Sequence, residues 1–363
     1  MAKESRKRLT KMRGRARWGA SSLFLVFAAS ACQKANDAPQ SVLNPAGPFA
    51  ESPDQLWDLT FGIAAVIFVL VEGALVFALI KFRHKEGRRA AQFHGNTKVE
   101  VVLTAIPALI LAGIAVPTVG TIFDLAEEPS GALQVKVIAH QFWWEFQYPE
   151  QDVVTANELH IPVDTPVQMS IEGAPTDRVD GGAEVIHSFW IPRLGGTQDS
   201  VPGHTNELLI EGSETGRYMG QCKEYCGLSH ANMRIVAFVQ SQEDFDQWVS
   251  EQSQPASDAA SGDAAAGQAI FNGDEGSGAP SCNSCHSVDA GVDAPPNTGP
   301  NLAHLASRDT FAGALFELDF ENPENLAAWI RDPAAVKPGA KMPDTGLTDS
   351  EIQDVIAYLE TLE

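Results

Sequence analysis

Two long apolar runs constrain the fold of this 363-residue chain more than any other feature. Residues 56–80 and 99–123 are each long enough to cross a bilayer as a helix. The connector between them holds six Lys or Arg and one Glu, and an excess of positive charge is typical of a cytoplasmic loop. The sequence therefore predicts a transmembrane hairpin over residues 56–123, with both flanks outside the cytoplasm.

The start of the chain has the pattern of a secretory signal. Residues 1–17 hold eight Lys or Arg, and an apolar run too short for a comfortable span follows. The run ends in ASAC, which places Cys32 where a lipoprotein signal is cut and the new terminal cysteine acylated. Ordinary cleavage nearby and an uncut anchor are the alternatives. We expect a signal peptide over residues 1–31 and a polar, Pro-rich lead-in over residues 32–55.

The charge of the remaining chain excludes one class of partner. From Cys32 to the end there are 17 basic and 46 acidic residues, a net charge of −29. Nucleic-acid binding needs a cationic surface that displaces counterions, so this class of function is excluded. A basic protein partner would be attracted by electrostatic steering.

An acidic residue, Glu72, interrupts the first apolar run near its middle. An ionisable group at this depth faces protein rather than lipid. It is expected either to contact a helix of another subunit or to take part in a proton or ion relay. Both interpretations predict a partner membrane protein.

Residues 124–250 have the pattern of an all-β unit. Short alternating or β-rich runs are separated by Gly, Pro and Asp, and strands at this spacing predict a sandwich or barrel. The runs are residues 133–148, 158–173, 184–192, 204–212 and 234–240.

A cluster of soft metal ligands lies near the end of this unit, in the stretch QCKEYCGLSHANM. Its ligands are Cys222, Cys226, His230 and Met233, and His187 in VIHSFW is a candidate from a neighbouring strand end. Thiolate, thioether and imidazole favour copper or zinc over magnesium or calcium. Two bridging thiolates could join two coppers, each with one His. A tetrahedral zinc site and a disulfide are the alternatives, and zinc would leave the methionine without a role.

The second sulfur-rich motif, CNSCH, is the signature of covalently attached haem c. Cys282 and Cys285 are predicted to form thioethers to the haem vinyl groups, and His286 to bind the iron. The competing interpretation is a thioredoxin-like CxxC, but no strand–helix pattern surrounds the motif.

The haem motif belongs to a separate unit over residues 263–363, which follows a flexible linker over residues 251–262. Downstream of the motif only His304 and Met342 offer a sixth iron ligand. Met342 lies in a Pro/Gly-rich loop before an amphipathic helix, so we predict that it is the axial ligand and that His304 is structural. The unit has 17 acidic and four basic residues. The linker, rather than charge attraction, is expected to keep it close to the acidic β unit.

The metal loop with its upstream VIHSFWIP resembles the CuA centre of subunit II of haem-copper cytochrome c oxidases. The likeness extends to VEVVLTAIPALIL, AHQFWWEFQY and RYMGQC, and so covers residues 50–250. It implies a cupredoxin-like Greek-key barrel that holds binuclear copper, CuA. The implied copper ligands are His187, Cys222, the backbone carbonyl of Glu224, Cys226, His230 and Met233.

The same resemblance implies roles for two acids at a contact with subunit I. The Glu224 side chain would face a magnesium or manganese site shared with subunit I. Glu100, at the cytoplasmic end of the second span, matches the acid at the mouth of a proton channel into subunit I. An ordinary surface-helix position is the alternative for Glu100.

One departure from the family pattern concerns electron entry. Members fed by a freely diffusing cytochrome c have QWYW, in which the first Trp receives the electron, whereas this chain has QFWW. Phe142 therefore stands at the entry position. Trp143 or Trp144 would substitute, the donor would dock elsewhere, or these aromatics fill the core.

The C-terminal unit resembles class I cytochromes c through TGPNLAHLASR and its later MP loop. Together the two resemblances imply subunit II of a caa3-type oxidase: a two-helix membrane hairpin, a cupredoxin barrel and an all-α cytochrome c unit. Such a subunit takes electrons from an upstream cytochrome c or a quinol:cytochrome c reductase. It passes them through haem c and CuA to subunit I, which reduces oxygen and pumps protons in a bacterial inner-membrane complex that also contains subunit III.

Two other functions remain open from the sequence. The same hairpin and barrel would serve a CuA-bearing nitric oxide reductase, since subunit I decides the reaction. A membrane-anchored electron carrier or copper-handling protein without an enzyme partner is the other. The acids Glu72, Glu100 and Glu224 argue against the carrier, because acids at channel and metal positions need subunit I.

Overall fold

The computed structural model describes residues 38–83, 87, 95–174, 185–256, 262–274, 281–292 and 298–363. The signal predicted over residues 1–31 and its candidate lipidation site, Cys32, lie outside the described residues. Within them the chain forms a helical hairpin, a β unit and a mostly helical C-terminal unit, in that order.

The hairpin consists of α1 (Pro48–Lys81) and α2 (Thr97–Asp124), both long and apolar enough to cross a membrane. Their apolar side chains are exposed in the single chain, as expected for helices that face lipid and other subunits. The Asn96 side chain caps α2 by accepting the Lys98 and Val99 N–H groups.

The first helix begins eight residues before the predicted span, inside the stretch that we described as a polar, Pro-rich lead-in. Pro48 occupies the first turn, where backbone N–H groups have no partner within the helix, so the missing N–H of proline costs no hydrogen bond. Ser52 Oγ also donates to the Pro48 carbonyl at 3.1 Å. Proline content alone was therefore a poor guide to where this helix starts.

The β unit contains ten strands between residues 133 and 240 in the described part of the chain. They are β1 (Leu133–His140), β2 (Trp143–Tyr148), β3 (Val153–Ala156), β4 (Glu158–Pro162), β5 (Val167–Gly173), β6 (His187–Trp190), β7 (Thr197–Ser200), β8 (Asn206–Ile210), β9 (Gly216–Gln221) and β10 (Arg234–Gln240). One sheet has the order β3-β2-β1-β5-β8, a second has β4-β10-β9, and β6 pairs with β7.

The two larger sheets share one apolar core. In β1 every second side chain from Leu133 to Val137 is buried, which is the period of a strand with one face inward. The largest fully buried side chains of this unit include Trp144, Phe146, Tyr148, Leu159, Ile161, Met169, Ile171 and Phe189. β1 pairs with β5, and β4 with β10, in parallel. The predicted all-β unit is confirmed, although its hydrogen-bonded strand order does not close into one ring within the described residues.

The C-terminal unit follows α3 (Gln242–Gln252), which packs on β3, β4 and β10. Its helices are α4 (Asp263–Asn272), α5 (Glu324–Arg331), α6 (Pro333–Val336) and α7 (Asp349–Leu359), with a two-stranded ribbon of β11 (Thr310–Phe311) and β12 (Phe316–Glu317). The predicted amphipathic helix is α7, which starts at a capping box formed by Thr348 and Glu351. It crosses α4 closely, because Gly267 has no Cβ to meet the Asp354 carbonyl.

Candidate metal centres

Two strands hold the sulfur-rich loop at both of its ends. β9 stops at Gln221 and β10 begins at Arg234, and these two residues face each other across the antiparallel pair. The Cys222 N–H donates to the Met233 carbonyl at 2.9 Å, which continues the pairing by one step. The intervening loop must therefore fold back over the end of the β unit, towards the start of β6.

Each thiol of the loop has its own imidazole. Cys222 Sγ lies 3.9 Å from His187 Nδ1, at the first residue of β6, and Cys226 Sγ lies 3.7 Å from His230 Nδ1. The two sulfurs are 3.9 Å apart, far beyond the 2.03–2.05 Å of a disulfide bond. The disulfide alternative therefore does not fit.

Two weaker ligands lie at opposite ends of this group. Met233 Sδ is 3.9 Å from Cys226 Sγ, and the Glu224 carbonyl oxygen is 3.2 Å from Cys222 Sγ. The Glu224 carboxylate turns away to the surface, where it accepts the Tyr225 N–H at 3.2 Å. One residue thus presents its backbone to the thiols and its charge to the outside.

The spacing of these donors fits two metal ions better than one. His187, Cys222 and Cys226 place their ligand atoms within 4.8 Å of one another, and His230 falls outside that group. A single tetrahedral zinc ion, with bonds of about 2.0–2.3 Å, would hold all four donors within about 4 Å of each other. The donor set, two thiols with one imidazole each, therefore fits a pair of copper ions bridged by sulfur.

The site favours a thiolate at Cys222. The neighbouring Cys226 thiol, His187 and the Ser188 N–H together lower the pKa of Cys222 to about 3. The hydrogen bond to the Cys222 thiolate, together with burial, raises the pKa of Cys226. Thiolate is the form that ligates metals.

The three aromatic residues beside this loop, Phe142, Trp143 and Trp144, are all buried but have different neighbours. Trp144 is fully buried, with its ring 6.0 Å from that of His187. Trp143 stacks on His140 at 3.9 Å, and Phe142 is 5% exposed and packs against the loop at Gly227.

The haem motif lies on the wall of a cavity of about 390 Å³. Cys282, Cys285 and His286 contribute from one side and Met342 from another, with apolar walls from Phe271, Trp329, Val355 and Leu359. Gln141, Phe142 and Trp143 of the β unit close part of the same cavity. The cavity therefore lies where the two units meet.

The proximal histidine is held with one nitrogen available for iron. His286 Nδ1 donates to the Pro300 carbonyl at 2.7 Å, which leaves the Nε2 lone pair free. Burial lowers the pKa of His286 and so favours the neutral ring. A Cβ at Gly299 would lie 2.5 Å from Cε1 of His286, so the ring occupies the space that this glycine leaves. These features fit covalent haem c. The sequence did not predict a role for Gly299 and Pro300, although both lie in the TGPN stretch that resembles class I cytochromes c.

The two candidates for the sixth ligand lie in different places. Met342 lines the cavity, whereas His304 is not among its lining residues. His304 is buried, and its Nε2 donates to the Gln254 carbonyl at 2.9 Å. That bond ties the linker's first residues to the C-terminal unit.

The acids of the membrane hairpin lie apart from both centres. Glu72 and Glu100 are exposed on α1 and α2 in the described chain. Among the described residues, neither side chain is buried by another part of the chain.

Three family models match the chain. They describe the cytochrome c oxidase subunit II transmembrane domain (residues 36–120), the periplasmic domain of the same subunit (residues 133–240) and cytochrome c (residues 264–363). The cytochrome c oxidase subunit 2 of Alkalihalophilus pseudofirmus is 32% identical and covers 89% of this chain and 91% of its own length. That of Bacillus subtilis is 32% identical, with 89% and 92% covered. A quinol oxidase subunit 2 of Bacillus spizizenii is 34% identical but covers 62% of this chain and 69% of its own length.

Proposed function

The chain belongs to the cytochrome c oxidase subunit II family, and from that premise we propose that it is the electron-receiving subunit of a caa3-type oxidase. It is a component of an oxidoreductase and carries a fused cytochrome c unit. It takes electrons from an external donor and delivers them to subunit I, where oxygen is reduced to water and protons are pumped. The reaction with oxygen takes place in subunit I rather than in this chain.

One observation carries the copper assignment: each of two thiols, 3.9 Å apart, has its own imidazole at 3.7–3.9 Å. His187, Cys222, Cys226 and His230 would hold the copper pair, with Met233 and the Glu224 carbonyl as weak outer ligands. When bound, the copper pair and haem c each accept and release single electrons. The protein's task is to fix the ligands so that little rearrangement accompanies the change of charge.

In the C-terminal unit, Cys282 and Cys285 would attach the haem and His286 would bind its iron through Nε2. We propose Met342 as the axial ligand, because it lines the cavity and a thioether raises the haem potential. His304 keeps the structural role that its bond to Gln254 gives it.

Several finer assignments belong to the same proposal. The outward Glu224 carboxylate would bind magnesium or manganese shared with subunit I, and Glu100 would open a proton path into that subunit. The hairpin would anchor the chain in a bacterial inner membrane, with Cys32 lipidated and both redox units in the periplasm. Subunit III, and an upstream cytochrome c or quinol:cytochrome c reductase as donor, complete the expected assembly.

The donor is the point on which relatives of this chain differ. Relatives named cytochrome c oxidase subunit 2 match along nine tenths of the chain, but the relative named quinol oxidase subunit 2 matches 62% of it. The C-terminal cytochrome c unit and the complete thiol–imidazole set favour a cytochrome donor over quinol.

An optical spectrum of the complex purified from membranes tests this function. We expect haem c, haem of subunit I and the near-infrared band of CuA in one preparation, with oxygen uptake driven by reduced cytochrome. His187→Asn or Cys222→Ser should abolish the copper band while haem c remains. Nitric oxide consumption in place of oxygen uptake would identify a nitric oxide reductase. Absence of any partner with haem and copper would leave only an electron carrier.

A further inference from the structure

The C-terminal unit is docked directly on the end of the β unit that carries the metal loop. Lys337, in the loop that leads to Met342, spans the boundary. Its Nζ donates to the Phe142 carbonyl at 2.7 Å and to the Ala312 carbonyl at 2.8 Å. One side chain therefore joins the aromatic segment beside the copper ligands to the loop that carries the axial-ligand candidate.

Lys337 is almost completely removed from solvent, with 3% of its surface exposed. Burial lowers its pKa to about 7, yet an amine in either protonation state has enough N–H groups for both carbonyls. A buried lysine nitrogen without partners would be costly. Its two carbonyl acceptors, one from each unit, are thus what makes this position possible.

The ring of Phe142 fills the space between two glycines from opposite units. A Cβ at Gly227, next to Cys226, would lie 3.0 Å from Cζ of Phe142. A Cβ at Gly339, three residues before Met342, would lie 3.5 Å from Cε2 of the same ring. The ring therefore occupies space that a side chain at either glycine, one in each ligand-bearing loop, would need.

Further polar contacts surround this centre and fix the relative position of the two units. They cross the boundary at Ser229 Oγ to the Pro338 carbonyl (2.6 Å), the Arg234 N–H to the Gly313 carbonyl (3.1 Å), Thr310 Oγ1 to Glu158 (2.6 Å), the Val292 N–H to Asp152 (2.9 Å) and Arg217 to Glu317 (3.0 Å). Backbone groups take part in several of them, so a sliding or nonspecific contact would not satisfy them.

The distribution of cations supports a specific contact. The acidic C-terminal unit has only four basic residues, Arg308, Arg331, Lys337 and Lys341. Two of these, Arg308 and Lys337, are buried at or beside the boundary, and Arg308 is electrostatically coupled to Glu158 of the β unit. Half of the unit's basic residues thus lie against the β unit, although the unit as a whole is acidic.

We propose that Lys337 is a positioning residue that fixes the cytochrome unit on the copper unit, with the Phe142 ring as the contact between the two redox sites. Electrons then pass within one docked arrangement rather than after collisions of a tethered unit. When both groups are bound, haem c would serve as the one-electron donor and the copper pair as the one-electron acceptor, with no proton or bond transferred. This part rests on the proposed function, whereas the docking itself does not.

Hydrogen exchange of the purified full-length complex tests the docking without measuring turnover. The Arg234 and Val292 amides, which donate across the boundary, should be protected in the wild type. Lys337→Met leaves two buried carbonyls unpaired, so we expect these amides to exchange about tenfold faster. Amides within each unit, such as Val137 in β1 and Ile356 in α7, should keep their rates. Arg331→Gln is the matched control, because among the described residues Arg331 pairs with Asp349 of its own unit.

A second pair of variants answers the objection that Lys337→Met unfolds its loop. Arg217 and Glu317 pair across the boundary with side chains that are 36% and 68% exposed, and neither belongs to the buried core, so their replacement does not disturb it. Glu317→Arg should speed exchange at the boundary about two- to fivefold, and the double swap Arg217→Glu with Glu317→Arg should restore it.

Spectra of the same samples separate the two proposals. Unchanged boundary exchange in Lys337→Met and in Glu317→Arg, with haem c and CuA spectra intact, would overturn the docking proposal alone. Absence of those spectra from the wild-type complex would overturn the proposed function and leave the exchange result to decide the docking.

Discussion

At the scale of single residues, the haem site depends on the absence of a side chain beside His286 as much as on its ligands. His286 is oriented by one hydrogen bond to the Pro300 carbonyl and by the missing side chain of Gly299. The ligand motif could be predicted from five adjacent letters. The two supporting residues could not, because they act through backbone conformation and space that only the folded chain defines.

The axial ligand yields a prediction at this scale. Met342→Ala should change the spectrum of the haem c unit and lower its potential, because loss of the thioether removes a ligand that favours the reduced iron. Potentiometric titration with optical detection measures both.

His304→Ala serves as the comparison, since it removes a buried side chain that is not on the cavity wall. We expect lower thermal stability but an unchanged haem spectrum. A spectral change in His304→Ala without one in Met342→Ala would reverse the two roles.

At the scale of elements, the strong periodic runs were predicted and the short ones were missed. β1, β2, β4, β5, β6, β8 and β10 lie within the predicted runs, whereas β3, β7 and β9 do not. β3, VVTA, and β7, TQDS, show no alternation of apolar and polar side chains. β9, GRYMGQ, has glycines at two of six positions, so its pairing with β10 is what makes it a strand.

The packing of α3 on β4 and β10 leads to a pH prediction. The His160 ring lies 4.8 Å from Phe238 and 4.2 Å from Trp248, and its Nδ1 contacts Gln240 at 3.0 Å. Burial, aided by the charge of Arg308, lowers the pKa of His160 from 6.5 to about 4. Between these values the unfolded chain binds more protons than the folded one. The contribution to stability is therefore complete above pH 6.5 and is lost as the pH falls to about 4.

Thermal or denaturant unfolding between pH 7 and pH 4 measures this effect. The shift corresponds to about 3 kcal/mol across the window. His160→Phe should flatten that part of the curve, whereas His204→Gln, at an exposed position, should leave its slope unchanged. A pH dependence of stability in His160→Phe as steep as that of the wild type would contradict its assignment to His160.

At the scale of the whole molecule, the order of the units along the chain could be predicted from the sequence, whereas the contact between them could not. Composition and motifs indicated a hairpin, a β unit and a cytochrome unit. The contact depends on Lys337, one of two lysines in a Pro/Gly-rich loop, and on Phe142, 195 positions earlier in the chain. No local pattern relates two such residues, because their proximity is a property of the folded units.

Cutting the chain between the units yields the prediction at this scale. With a protease site introduced within residues 257–261, cleavage should make oxygen uptake depend on the concentration of the cytochrome unit. The linker normally adds an effective concentration of about millimolar to the docked contact; after cleavage that contact alone must hold the cytochrome unit, so dilution should release it. Size-exclusion chromatography measures the release of the cytochrome unit, and oxygen uptake after dilution measures the loss of activity. The wild-type chain, which lacks the introduced site, is treated with the same protease as the control. Turnover that survives high dilution of the cut complex would contradict the need for a tether.

The contact between Lys337 and the Phe142 carbonyl also has an evolutionary consequence. A diffusing carrier and its acceptor are encoded by separate genes, so each must stay compatible with whatever variant of the other the cell makes. Here both sides of the contact lie in one reading frame and are always inherited together. Selection can therefore change the two surfaces jointly, so that a substitution on one side of the contact can be matched by one on the other.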